Sequence, residues 1–315
     1  PKVLKENWSP AYLATALGAA LQYGTPFWVT PDLWSGVEYP GHSVAEYESA
    51  LLMAYLLGAD GIYTENLGHD NLQKGVGSLA YFKNGTARLT DYGRAKQRFR
   101  REYVPHHPRH YSFRDVRPAV SLIRRDDACW GQSHSWLKDQ LFGNPSWPST
   151  PATEAWLRIW HLLSNGVIPP HTLSWNAWTD RPYQVFCPLN GVVVFDDRVE
   201  YERLRGIPVL FVSGVGVAAA TREVLARCVA EGATCVGPRE LLPESVAKTM
   251  APNAVRKDGA GLWVSATDFL ADHVRRSVAH VLPKEEAITY DFGGTRIALR
   301  PHGGDVNALE GEAAG

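Results

Sequence analysis

The chain has 315 residues, 45% of them hydrophobic and 21% charged, with 32 Lys and Arg against 33 Asp and Glu. That balance excludes a mainly disordered chain, a collagen-like chain and a coiled coil, and the length points to two domains at ~100–200 residues each. A net charge of −1 argues against a general electrostatic grip on nucleic acid or an anionic membrane but leaves room for a local patch, and no apolar run reaches the ~18–20 residues of a membrane span.

The N-terminus, Pro1-Lys2-Val3-Leu4-Lys5, carries no initiator Met and no secretory apolar stretch, so the chain reads as the later part of something longer. Residues 2–4 are a short strand candidate that ends before Glu6, Asn7 and Trp8. Ser9 suits an N-cap and Pro10 the first helical position. Leu13, Leu17, Ala20 and Leu21 then make one apolar face, and Gly24 stops the helix. Residues 26–30 form a second strand, which ends at Asp32 and Trp34. Ser43 and Glu46 have capping-box spacing, followed by the stripe Tyr47, Ala50, Leu51, Ala54 and Tyr55, with Gly58 as the stop. Residues 61–64 are a third strand, ending at Glu65 and Asn66. This β-α-β-α-β series with short connections predicts a parallel sheet.

Residues 76–116 read as a connector. Asn84-Gly85 predicts a tight turn between two short strands, and the turn reading is preferred to a glycosylation acceptor at Asn84-Gly85-Thr86. A basic helix starts at Thr90 or Asp91 and runs through Tyr103. The run Pro105-His106-His107-Pro108-Arg109-His110 reads as an extended linker rather than a metal site, because two prolines fall within it.

A second α/β unit spans 117–282. Its first strand, 119–123, leads into a polar loop with Asp126, Asp127 and Gln132, which could reach the site. Thr150 and Pro151 begin a helix with the buried face Trp156, Ile159, Trp160 and Leu163. All-apolar strands at 192–195 and 209–212 predict a sheet covered on both faces. A helix at 221–230, strands at 234–236 and 261–265, and a helix at 268–281 complete the unit. Residues 283–315 read as a hairpin across Gly293-Gly294 followed by a flexible tail from Asn307. Cys129, Cys187, Cys228 and Cys235 have no C-x-x-C spacing and are expected to be buried or free thiols.

Each of the first three strands ends in a carboxylate: Glu6, Asp32 and Glu65. Ligands bind at such strand ends in α/β folds. Glycosidic bonds are cleaved between a proton-donating carboxyl group and a second carboxylate acting as nucleophile or base. Indole faces offer sugar rings a dry stacking surface, which makes Trp8 and Trp34 candidate platforms and Asn7 and Asn66 candidate hydroxyl ligands. Asp32 is the expected nucleophile or base, with Glu65 and Glu6 as acid/base partners. No cofactor and no metal are expected. A rival reading takes Gly214-Val215-Gly216-Val217-Ala218-Ala219 as a dinucleotide motif, with Arg239 facing a 2′-phosphate. Ser213 is not a hydrolase nucleophile by pattern, since Phe211 stands where G-x-S-x-G needs its first glycine.

Residues 24–30 (Gly-Thr-Pro-Phe-Trp-Val-Thr) and 48–63, through Gly58-Ala59-Asp60-Gly61, resemble the last two βα units of a clan-A glycoside hydrolase barrel, with family forty-two β-galactosidases as the closest likeness. The resemblance implies an α/β fold: residues 1–75 as the C-terminal βα units of a TIM-like barrel, then an amidotransferase-like (flavodoxin-like) doubly wound domain that contributes to trimerisation. It implies a carbohydrate substrate and a homo-oligomer, trimer or dimer, or association with the missing N-terminal part. The family's catalytic Glu nucleophile falls near Pro31, with Asp32 one step on and no Glu there. The family's acid/base residue sits on strand four, which by this resemblance would lie upstream of Pro1, a complete barrel being ~250 residues. The alternative is a non-catalytic sugar-binding or assembly module.

Overall fold

The computed structural model describes residues 1–4, 8–33, 42–64, 79–83, 86–125, 151–170, 185–303 and 305–314. The chain opens with β1 (Lys2–Val3), α1 (Ser9–Tyr23), β2 (Trp28–Pro31), α2 (Val44–Leu56) and β3 (Gly61–Ile62). The three strands form a parallel sheet in the order β1-β2-β3. The local signals act as expected with one exception. Trp8, not Ser9, occupies the N-cap of α1, because the Ser9 hydroxyl accepts a hydrogen bond from the Leu4 N–H at 3.1 Å instead. Leu4 itself turns through a left-handed φ of 72°. Gly24 takes the left-handed C-cap, and Ser43 and Glu46 close both bonds of the capping box.

The connector holds an antiparallel hairpin, β4 (Ala80–Lys83) and β5 (Thr86–Leu89), then α3 (Asp91–Arg98), capped by the Thr90 hydroxyl. Asn84 and Gly85 lie outside the described residues. The expected extended linker is not observed up to His106. A π-helical stretch, Phe99–Tyr103, carries the helix on into Val104–His106. Wider π spacing relaxes the clash a proline ring makes with the carbonyl four residues back, so Pro105 is accommodated.

The second unit contains β6 (Val120–Arg124), α4 (Pro151–Leu163), β7 (Leu189–Asn190), β8 (Val192–Asp196), β9 (Val209–Ser213), α5 (Ala219–Ala230), β10 (Thr234–Gly237), β11 (Val255–Asp258), β12 (Gly261–Ser265) and α6 (Asp272–Val278). Six strands lie in the order β11-β12-β10-β9-β6-β8. All neighbours are parallel except β11, an antiparallel edge. Numbered along the chain, the five parallel strands run 2-1-3-4-5, an order common among doubly wound open sheets. Buried Trp156, Ile159 and Trp160 of α4 and Val274 of α6 pack with one hydrophobic cluster, and Leu225, Cys228 and Val229 of α5 with the other, so helices cover both faces. The molecule is thus α/β with parallel sheets.

A third sheet follows the order β15-β14-β13-β7, built from β13 (Ile288–Asp291), β14 (Arg296–His302) and β15 (Asp305–Ala314). The hairpin across Gly293-Gly294 is as expected, with Asp291 opposite Arg296. The tail is not frayed: β15 pairs with β14, and the Leu309 N–H donates to the Ser49 hydroxyl on α2 at 2.7 Å. Helix α1 also reaches across, lying on edge strand β8. A Cβ added at Gly18 would sit 1.8 Å from the Val194 carbonyl oxygen, so the helix touches the strand backbone itself.

Candidate carboxylate site at the ends of the parallel strands

Of the residues expected at the site, Asp32 and Trp8 are described, whereas Glu6, Asn7, Trp34, Glu65 and Asn66 lie outside the described residues. Asp32 follows β2 at its carboxyl end and is 1% exposed. Its N–H donates to the Val3 carbonyl at 2.8 Å, which extends the β1–β2 pairing one step. Its Oδ2 lies 3.2 Å from Nζ of Lys2, whose side chain remains half exposed. The carboxylate is therefore set by strand geometry on one side and by an ion pair on the other. Trp8 is half-buried and packs against the cluster of Trp156 and Val120.

Sequence reasoning missed a polar network at the neighbouring strand end. Thr64 follows β3, which pairs with β2 through Val29 and Ile62, so Thr64 and Asp32 share the carboxyl edge of one sheet. The Thr64 and Tyr47 hydroxyls are hydrogen-bonded at 2.7 Å, and Lys96 Nζ donates to the Thr64 hydroxyl at 2.8 Å. Burial lowers the Lys96 pKa from the ordinary lysine value. Tyr47 meets Tyr92 edge to face at 5.8 Å, Tyr92 donates to the His42 carbonyl, and the His42 ring nitrogen lies 3.1 Å from a Glu46 carboxylate oxygen. Tyr47 belongs to the α2 stripe and is fully buried, and its hydroxyl gives it a second task. Lys96 carries no local signal at all, because it reaches Thr64 from a helix that begins after the connector hairpin.

At the carboxyl edge of the second sheet, register places Arg124 between Asp196 and Ser213. Arg124 lies over the Trp156 ring at 4.8 Å, and Asp196 accepts from Gln22 and Tyr23 of α1. Asp126, Asp127 and Gln132 lie outside the described residues. Gly214 turns with φ 93°, and Gly216 leaves room for the Arg125 guanidinium, whose nitrogen would be 3.3 Å from an added Cβ. These two glycines have local packing tasks before any nucleotide is considered. Arg239 is exposed on a short 3-10 turn. His106 and His107 direct their Nδ1 atoms at the carbonyls of Glu102 and Tyr103 on their own helix, and His107 stacks on Tyr103 at 4.1 Å. Cys187, Cys228 and Cys235 are free and buried, as expected, and Cys129 lies outside the described residues.

No protein-family model and no curated protein matches the chain. Among solved structures the chain is similar to a rhamnosidase from Novosphingobium sp. PP1Y, at 10% identity and a TM-score of 0.46. The likeness covers 94% of this chain, which spans 28% of the length of that one.

Proposed function

We propose that the protein is carbohydrate-active and forms part of a glycoside hydrolase, with Asp32 as the carboxylate that acts on the glycosidic bond as nucleophile or base. The observation that carries this reading is the placement of Asp32, a buried carboxylate at the carboxyl end of a strand in a parallel β-α-β-α-β sheet. That is where such enzymes need one. Glu65 and Glu6 are the partner acids of this reading, and Trp8, Trp34, Asn7 and Asn66 its sugar contacts. The ammonium of Lys96, held by the Thr64 hydroxyl at the same sheet edge, adds a donor suited to sugar oxygens.

In its finer form the proposal takes residues 1–75 as the closing βα units of a TIM-like barrel. It takes 117–282 as an amidotransferase-like domain, a reading supported by the 2-1-3-4-5 strand order. The nearest family in this reading is that of the family forty-two β-galactosidases, and the assembly is a dimer or trimer.

A second reading, a non-catalytic sugar-binding or assembly module, is favoured by the Lys2–Asp32 ion pair, which already engages the carboxylate. One experiment separates the two. The natural polypeptide and its Asp32→Asn variant are assayed against a panel of aryl glycosides, and sugar binding is measured alongside. Loss of turnover by about 10²–10⁴-fold, the usual worth of a general acid or base, with binding kept, supports the hydrolase. Turnover unchanged in the variant refutes the role of Asp32. Sugar binding without turnover in the natural polypeptide makes the protein a binding module.

A further inference from the structure

Away from Asp32 lies a cavity of about 420 Å³ lined by Arg114, Arg117, Arg203, Arg205 and Glu202. Two anchored turns bring these side chains together. The first is the 3-10 turn Phe113–Asp115, held by the N–H of Phe113 donating to the Gly58 carbonyl at 3.2 Å. Arg117 is fixed just beyond it, where its N–H donates to the Asp291 carbonyl at 2.8 Å. The second is the short helix Tyr201–Leu204, whose Leu204 is fully buried while Arg203 and Arg205 are exposed.

The charges there do not cancel. Arg114 pairs with Asp60 at 3.3 Å, and Arg205 approaches Glu202 at 3.9 Å. Asp115 is engaged by the Ser112 cap at 2.7 Å and 3.0 Å. Among the described residues Arg117 and Arg203 have no ion-pair partner. Four arginines against Asp60, Glu202 and Asp115 leave one net positive charge there, and the Arg117 guanidinium lies against Gly293. Planar guanidinium forks match the oxygens of phosphate two at a time. The cavity exceeds what a bare phosphate fills, and its floor carries Leu21 of α1 and Phe195 of β8. Small-molecule pockets fall in this size range, and here the lining is mainly polar.

We infer that this cavity is a binding site for a small organic phosphate monoester, its dianionic phosphate held by Arg117 and Arg203 with support from Arg114 and Arg205, and its organic part laid on Leu21 and Phe195. The site stands apart from Asp32 and does not rest on the hydrolase reading.

The test is calorimetric titration of the full chain with phenyl phosphate and with inorganic phosphate, at constant ionic strength. Saturable binding is expected, tighter for phenyl phosphate than for inorganic phosphate because of the apolar floor. Arg117→Ala/Arg203→Ala is expected to weaken it at least tenfold. Arg275→Ala/Arg276→Ala, which removes two exposed arginines of α6, is the charge-matched control and is expected to leave it unchanged. Arg203→Gln alone, at an exposed position, serves should the double variant not fold, with a loss of at least threefold expected. Absence of saturable binding at millimolar phenyl phosphate overturns the inference. So does an equal loss in the control, which would show a response to overall charge only, and so does unchanged binding in Arg203→Gln.

Discussion

Replacing Gly18 by Ala tests the packing that joins the two parallel sheets. In an exposed helix interior this change stabilises by about 1 kcal/mol, because glycine is the costlier residue there. At Gly18 the new Cβ would lie 1.8 Å from the Val194 oxygen and 2.5 Å from its carbon, both backbone atoms. Real Cβ atoms essentially never come closer than 3.0 Å, so α1 and β8 must part by more than an ångström. A radial gap of ~0.5–1 Å forfeits a quarter to a half of the dispersion well. Leu13, Leu17 and Leu21 are buried on α1, and each buried leucine is worth ~1.5–3 kcal/mol. Loosening them, with overpacking strain of ~1–3 kcal/mol, outweighs the propensity gain, for a net loss of roughly 2–4 kcal/mol. Urea unfolding followed by tryptophan fluorescence measures it, with Ala19→Gly as the calibrator. Ala19 is exposed on the same helix, so Ala19→Gly should cost only the propensity term. If Gly18→Ala gains what Ala19→Gly loses, α1 does not lie on the β8 backbone and the account of this junction is wrong.

The same junction predicts an acid response. Burial raises the pKa of Asp196, but hydrogen bonds from Tyr23, the Arg198 N–H and Gln22 outweigh it and leave the value below the ordinary 3.8. A lowered carboxylate stabilises fully above its unfolded value and loses that stability as the pH falls through its folded one, so the urea midpoint should drop below pH 4, and more steeply in the native protein than in Asp196→Asn. The thiols give a second check. Burial pushes Cys187 and Cys235 well above the ordinary thiol value, and burial with the Glu231 charge pushes Cys228 up to about 11. At pH 8 a disulfide reagent should label at most one thiol promptly in the folded protein and all four cysteines in urea; prompt labelling of three would refute the buried placement.

What the sequence revealed was local. The Ser43 and Glu46 spacing, the glycine stops at Gly24 and Gly58, the Gly293-Gly294 turn and the apolar strands of the second sheet each act within a few residues, and each appears where it was read. What it hid depends on distant partners. Strand β11 is Val-Arg-Lys-Asp, too charged to read as a strand, yet charge suits an exposed edge. Strand β15 is small and polar and exists because β14 and Ser49 supply partners for its backbone. Ser9 had the chemistry of a cap, but Leu4 claimed its hydroxyl. At the site, the strand-end position of Asp32 was legible from the chain, whereas its pairing with Lys2 and the meeting of Tyr47, Thr64 and Lys96 required the fold.

Helix α1 is where these results meet. Its N-terminal end carries Trp8 into the core of the second sheet, and its middle lies on β8 through Gly18. One turn further on, Leu21 is part of the floor of the arginine cavity. Its last turn ties to Asp196 through Gln22 and Tyr23. A helix fixed at so many points along 15 residues cannot shift at one without moving the others. A Cβ at Gly18 that parts α1 from β8 also moves Leu21 relative to Phe195, so phenyl phosphate affinity should fall with stability in Gly18→Ala. In Ala19→Gly, where the helix keeps its seat, only stability should fall.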